Sequence, residues 1–225
     1  MTPMTSRRRR LVAAIALVGA VALGATGCGS ASPPSPPTGV DGLVIPTPGP
    51  DPADFVPTVD NPWFPLVPGT RWRYDADVAT PAPTLTAVVE PGPEVAGVQT
   101  TTLHRTAADG VETRDHFAQD RDGNVWWFGR AGKWQAGEDG AQAGLAMPAD
   151  PRYGDGFRRG AAPGLDAYAA VVEVDAEVTV PLESYRPVVV LEVTEGAVTS
   201  RESYARGIGL VQTDEAGLVA HDEPR

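Results

Sequence analysis

From Asn61 onward, short runs alternate apolar and polar residues with a period of two and are separated by turn residues. Thr70, Trp72, Tyr74 and Ala76 fall on one side of the first run, and Arg71, Arg73 and Asp75 on the other. That pattern predicts a half-buried strand. Further strands are predicted over 84–90, 98–106, 111–119, 125–129, 168–174, 178–180, 188–194, 200–204 and 210–213. Val188-Val189-Val190-Leu191 and Trp126-Trp127-Phe128 are apolar on both faces, so those strands are covered on both sides or line a cavity. The predicted fold is mainly β: a single domain built as a curved antiparallel meander or incomplete barrel. The stretch Gly137–Gly156 breaks the rhythm and reads as a long loop, a candidate for function, with Leu145 and Met147 packed down.

The two histidines near Ala108-Asp109-Gly110 depend on the hairpin register. With Asp109 and Gly110 as central turn residues, Ala108 faces Val111, His104 faces Asp115 and His116 faces Leu103. The histidines then point to opposite faces of the sheet and cannot chelate one ion. A shift of one residue would reverse that geometry.

The first 60 residues follow different rules. Arg7 to Arg10 form a cationic start, Leu11 to Leu23 an apolar core, and Ala25-Thr26-Gly27-Cys28 a small-residue cleavage site ending in a thiol. This is an export signal, and its apolar run falls short of the roughly 20 residues a membrane-spanning helix needs. Cys28 is the chain's one cysteine. It sits where a bacterial lipoprotein is cut and acylated, although Ala25 stands where such motifs usually carry Leu. A diacylglyceryl thioether there would give stable anchoring, which one acyl chain would not. Arg8-Arg9 with Leu11-Val12 also resembles a twin-arginine signal, so the export route stays open. Residues 28–57 are dense in Pro, Gly and Ser and read as a disordered tether, partly polyproline II. The expected organisation is a signal peptide over 1–27, the lipidated tether over 28–57, and a β-rich extracytoplasmic domain over 58–225.

Composition narrows the partners. Loss of Arg7–Arg10 with the signal takes the formal charge from −11 to about −15. A body this acidic is repelled by nucleic acid and by anionic lipid headgroups. Seventeen of the 18 basic residues are Arg, with Lys133 the exception. With a single cysteine no disulfide forms within the chain, so stability must come from a hydrophobic core.

Four ordered blocks carry a resemblance. They are Asn61-Pro62-Trp63-Phe64-Pro65-Leu66 with Pro68-Gly69-Thr70-Arg71-Trp72-Arg73-Tyr74; His116-Phe117-Ala118-Gln119-Asp120 with Asp122-Gly123-Asn124-Val125-Trp126-Trp127-Phe128-Gly129; Gly137 with Asp139-Gly140-Ala141, Gly144 and Met147-Pro148-Ala149; and Gly207-Ile208-Gly209-Leu210-Val211. Together they resemble an uncharacterised family of bacterial exported proteins and lipoproteins with no known activity. The resemblance implies an extracytoplasmic β-rich domain and brings no catalytic residues. His116 stands where that family usually has an aromatic, and Trp63, Phe117 and Trp127 where Tyr is common.

The chain has no Gly-x-Ser-x-Gly elbow, no phosphate loop and no His-Glu-x-x-His helix, and no enzymatic activity is expected; a hydrolase working with two of the plentiful acidic residues is the least favoured reading. Asp120-x-Asp122-Gly123-Asn124 looks like the start of a calcium loop, but Gly is fourth rather than sixth and Ala131 stands at the twelfth place. A turn bonded by its own Asp and Asn side chains is the simpler reading. No metal and no cofactor are expected, and His221 reads as a solvated tail residue. The aromatics of the first half, among them Trp63, Phe64, Trp72, Trp126 and Trp134, suit either a packed core or an apolar groove for a lipid. The expected role is a membrane-anchored extracytoplasmic lipoprotein. Its expected partners are the membrane, through the lipid on Cys28, and either an apolar ligand or an envelope protein.

Overall fold

The computed structural model describes residues 50–75 and 85–224. The signal, Cys28 and most of the tether lie outside the described residues. The first strands are β1 (Phe55–Val56), β2 (Arg71–Asp75), β3 (Leu85–Val95), β4 (Val98–Ala107) and β5 (Glu112–Asp120). Next come β6 (Val125–Arg130), β7 (Trp134–Gln135), β8 (Gln142–Met147), β9 (Gly156–Ala162) and β10 (Leu165–Thr179). The chain ends with β11 (Ser184–Glu195), β12 (Val198–Ala205), β13 (Gly209–Thr213) and β14 (Gly217–Asp222). Each of β2 to β6 pairs antiparallel with the next, β6 continues through β8, and β8 to β14 follow in order. β14 then pairs back onto β2, so hydrogen bonding runs all the way round. The result is a ring-like antiparallel meander but not a regular barrel, since the strands that close the ring range from the 5 residues of β2 to the 15 of β10. β10 carries three register irregularities against β11, and such bulges bend a long strand.

The alternation over residues 71–74 does what its period predicts: Trp72 and Tyr74 are buried, and Arg71 and Arg73 are exposed. The segment between Val59 and Leu66 folds back on itself, Leu66 N–H donating to Val59 O, and inserts Phe64 into the ring. The Phe64 ring meets Phe117 of β5 at 5.1 Å and Tyr204 of β12 at 5.7 Å. One side chain thereby joins strands far apart around the circuit. Burial of a ring of that size contributes about 3 kcal/mol.

Four sequence expectations change. First, Gly137–Gly156 is not a long loop, because β8 runs through it and is buried on both faces from Ala143 to Met147. Ala and Gly have weak strand preference by themselves. Here their small size is what admits the strand, since a Cβ on Gly144 would overlap the backbone of Arg159 on β9. Second, 168–174 and 178–179 belong to one strand, β10, which ends before Val180. Third, Pro52–Val56, which composition assigns to the tether, docks on the domain. β1 pairs with Gln119 and Asp120, and Arg121 holds the Asp54 carboxylate at 2.7 Å. Fourth, the β4–β5 loop has one residue more than a two-residue turn. Ala107 N–H donates to Val111 O, and Gly110 takes φ +82° as the last loop residue, a conformation glycine adopts without steric cost. The register therefore shifts by one: Thr102 faces His116 and His104 faces Arg114.

Candidate functional site

Three of the resembling blocks converge on one buried polar junction. Asn61, 1% exposed, uses its whole side chain there. Its Oδ1 accepts from the Trp63 and Phe64 N–H groups, and its Nδ2 donates to Gly123 O and Pro148 O. Gln119 Oε1 accepts from the Asp60 and Asn61 N–H groups, while its Nε2 donates to Asp60 Oδ1 at 2.6 Å. Asn124 Oδ1 takes the Ala149 N–H. The junction aims Phe64 into the ring and ties the β5–β6 turn to the end of β8. Its chemistry is that of a latch, with donors and acceptors spent on one another.

Asp120 belongs to the same junction. Its Oδ1 accepts from the Asp122 and Asn124 N–H groups, and its Oδ2 from Asn124 Nδ2 and from Trp126 Nε1 at 2.8 Å. Four donors saturate the carboxylate, as in an Asx turn. It is a turn former here.

A second polar group lies on the inner faces of the strands. Asp115, 1% exposed, is held by Arg105 Nη1 at 2.7 Å and by Arg130 Nε at 2.7 Å. Arg130 also lies over the Trp127 ring at 5.1 Å. Burial works against the charge on Arg130, but the Asp115 carboxylate outweighs it and raises the guanidinium above its ordinary value. Across the ring, Arg159 Nη1 and the Tyr204 hydroxyl both donate to Glu202 Oε2, at 2.9 and 2.7 Å. Burial, seconded by Glu202, pushes the Tyr204 phenol well up, so it serves as a donor and not as a base. Period-two parity held the signal for this group. Arg105 shares a strand face with Leu103, and Asp115 with Phe117.

The histidines end up on one sheet face, contrary to the expected register, because residues paired across the ladder share a side. They still serve separate partners. His116 is buried, with Nδ1 3.0 Å from Thr102 Oγ1. Burial lowers its pKa, partly opposed by Asp115. His104 lies between two carboxylates, with Nδ1 3.2 Å from Glu90 and Nε2 3.3 Å from Glu112. Glu112 is itself held below the usual carboxylate range, first by its bond to Arg114. His221 is no tail residue: it lies in β14, paired with Trp72, and its ring stacks on that indole at 5.6 Å.

The aromatic cluster packs as core. Trp63, Phe64, Trp72, Tyr74, Trp126 and Phe128 are all buried. The apolar cleft beside Phe64, Trp72 and Leu103 measures about 20 Å³, which is room for a single water.

No family model matches this chain, and no curated protein does. Two solved structures share part of its shape. One, described as an exported protein with a YmcC-like fold from Bacteroides fragilis, has 15% identity and a TM-score of 0.37, over 72% of this chain and 99% of its own. The other, described as a lipoprotein from Parabacteroides distasonis, has 10% identity and a TM-score of 0.38, over 71% of this chain and 98% of its own. A likeness of this size carries no argument about role.

Proposed function

We infer that this chain is a lipoprotein anchored by acyl groups on the extracytoplasmic side of the cell membrane, where it acts without catalysis through its outer surface. The observation that carries the reading is the sequence Arg7–Arg10, Leu11–Leu23 and Ala25-Thr26-Gly27-Cys28. An export signal that ends on the chain's one cysteine supplies both the address and the attachment point. The folded domain supports a non-enzymatic role. Asp115, Asp120 and Glu202 are committed to structural partners, and Tyr204 is held protonated.

Between an envelope protein and an apolar ligand as partner, the packing favours the first. An acyl chain needs several hundred Å³, and Phe64 with its neighbours leaves about 20 Å³. Radiolabelled palmitate should enter the wild-type protein in cells and not the Cys28→Ser form. The Cys28→Ser form should also leave the membrane fraction. Equal membrane retention of the two would refute the anchoring.

A further inference from the structure

We propose that the recess at the β6–β7–β8 end of the ring is a binding site for a neutral saccharide. The recess measures about 350 Å³ and is lined by Lys133, Trp134, Gln135, Glu138, Asp139 and Pro163, within the size range of small-molecule sites. The inference does not rest on acylation of Cys28.

Trp134 is the fixed wall. Its ring meets Trp127 edge to face at 4.9 Å, and a Cβ on Gly160 would come within 3.3 Å of it. Trp127 is anchored in turn by its Nε1–H, which donates to Gly129 O at 2.8 Å. An indole held this way is a preorganised apolar surface, and the C–H face of a pyranose covers such a surface at low entropic cost.

The polar lining is unspent. Lys133, Gln135, Glu138 and Asp139 have side chains that make no hydrogen bond or ion pair among the described residues. This contrasts with Asn61, whose amide oxygen and nitrogen are both bonded within the protein. Two carboxylates accept, the ammonium donates, and the amide does both. That mixture matches hydroxyl groups, each of which is donor and acceptor. Two carboxylates against one ammonium leave the recess net negative, which repels phosphate and carboxylate ligands. Lys133 disfavours a cation in the same space.

The turn that carries these groups is built for their position. Gly137 and Gly140 take φ +86° and +78°, and Asp139 takes φ +48°, a left-handed conformation costly for a residue with a Cβ. The turn closes with Ala141 N–H on Glu138 O at 2.8 Å and Gly137 N–H on Ala141 O at 3.0 Å. The resembling block Gly137-x-Asp139-Gly140-Ala141 is therefore the rim of this recess.

The test uses the full chain in a zwitterionic, sugar-free detergent. It is titrated with neutral trisaccharides based on glucose, mannose, galactose and N-acetylglucosamine, with calorimetry and tryptophan fluorescence as readouts. At least one should saturate. Glu138→Ala should weaken that saccharide about tenfold at unchanged Tm, because one hydrogen bond from a sugar hydroxyl to a charged acceptor is lost. Trp134→Phe should abolish the fluorescence change. Retention on an insoluble polysaccharide of the same sugar would assign the site to envelope glycan, and binding of the free sugar alone to a soluble saccharide. Saturation by none of the panel, saturation by choline instead, or equal affinity in a folded Glu138→Ala protein would overturn the proposal.

Discussion

Asn61 and His116 are single side chains whose partners decide what they contribute. Asn61→Asp keeps the two acceptor bonds to the Trp63 and Phe64 N–H groups. It removes the donor to Gly123 O and Pro148 O and turns a carboxylate toward both carbonyls. The expected loss is about 3 kcal/mol, since buried acceptors lose their partner and a buried charge is left uncompensated. Denaturant unfolding would read this as a lower midpoint at unchanged slope. His116 has its folded pKa below the ordinary value because burial opposes the charged ring. The unfolded chain therefore binds the proton more readily. The stability owed to the neutral ring is complete above about pH 6.5 and is lost as pH falls from there through the folded value. His116→Phe places an aromatic there and removes that contribution. Wild-type stability should fall more steeply than the variant's between neutral and mildly acidic pH, and parallel curves would contradict the reading. Neither effect is visible in a string of letters. Asn-Pro announces a turn, but Gln119, Gly123 and Pro148, to which Asn61 also bonds, lie 58 to 87 residues away.

At the scale of elements, strands whose alternation puts large apolar groups on one face were legible, and those made of small residues were not. Trp72 and Tyr74 mark β2 without help. β8 escapes because Gln142-Ala143-Gly144-Leu145-Ala146-Met147 has neither alternation nor β-branched residues, and its reason for being a strand is the close backbone of β9. Gly144→Ala tests that directly. The added methyl would overlap the Arg159 backbone and should cost at least about 2 kcal/mol. Gly156→Ala is the control on the partner strand: a Cβ there meets nothing within 4 Å, so its unfolding free energy should stay within about 0.5 kcal/mol of wild type. The β4–β5 hairpin was legible as a hairpin but not in register. Asp109-Gly110 fits both a two-residue and a three-residue loop, and only the αL glycine at the end of the longer one decides between them. That one residue moves both histidines onto the same face. The recess at β6–β8 stayed hidden for a related reason: its polar groups are close in sequence, but the wall they need, Trp134 braced on Trp127, depends on a β-bridge that only the fold supplies.

For the whole molecule, what matters is that the ring closes on itself and that Phe64 sits inside it. A carrier of apolar cargo keeps a cavity, and here Phe64 occupies the place where one would be, wedged between Phe117 and Tyr204. The molecule is therefore one side chain away from having an interior. Phe64→Ala should cost about 3–5 kcal/mol, the transfer loss plus the cavity left behind. The new space adjoins the cleft of about 20 Å³ lined by Leu66, Trp72, Leu103 and Arg105; most of its walls would be apolar, so it should accept a small apolar molecule. Benzene or xenon should raise the Tm of Phe64→Ala and leave wild type unmoved, because a ligand stabilises only the state that binds it. A rise in wild type as well would mean that the plug opens on its own, and would return the protein to the lipid-binding class. A rise confined to the variant would mean that the aromatic residues of the first half are spent on holding the ring together, leaving the outer surface to do the work.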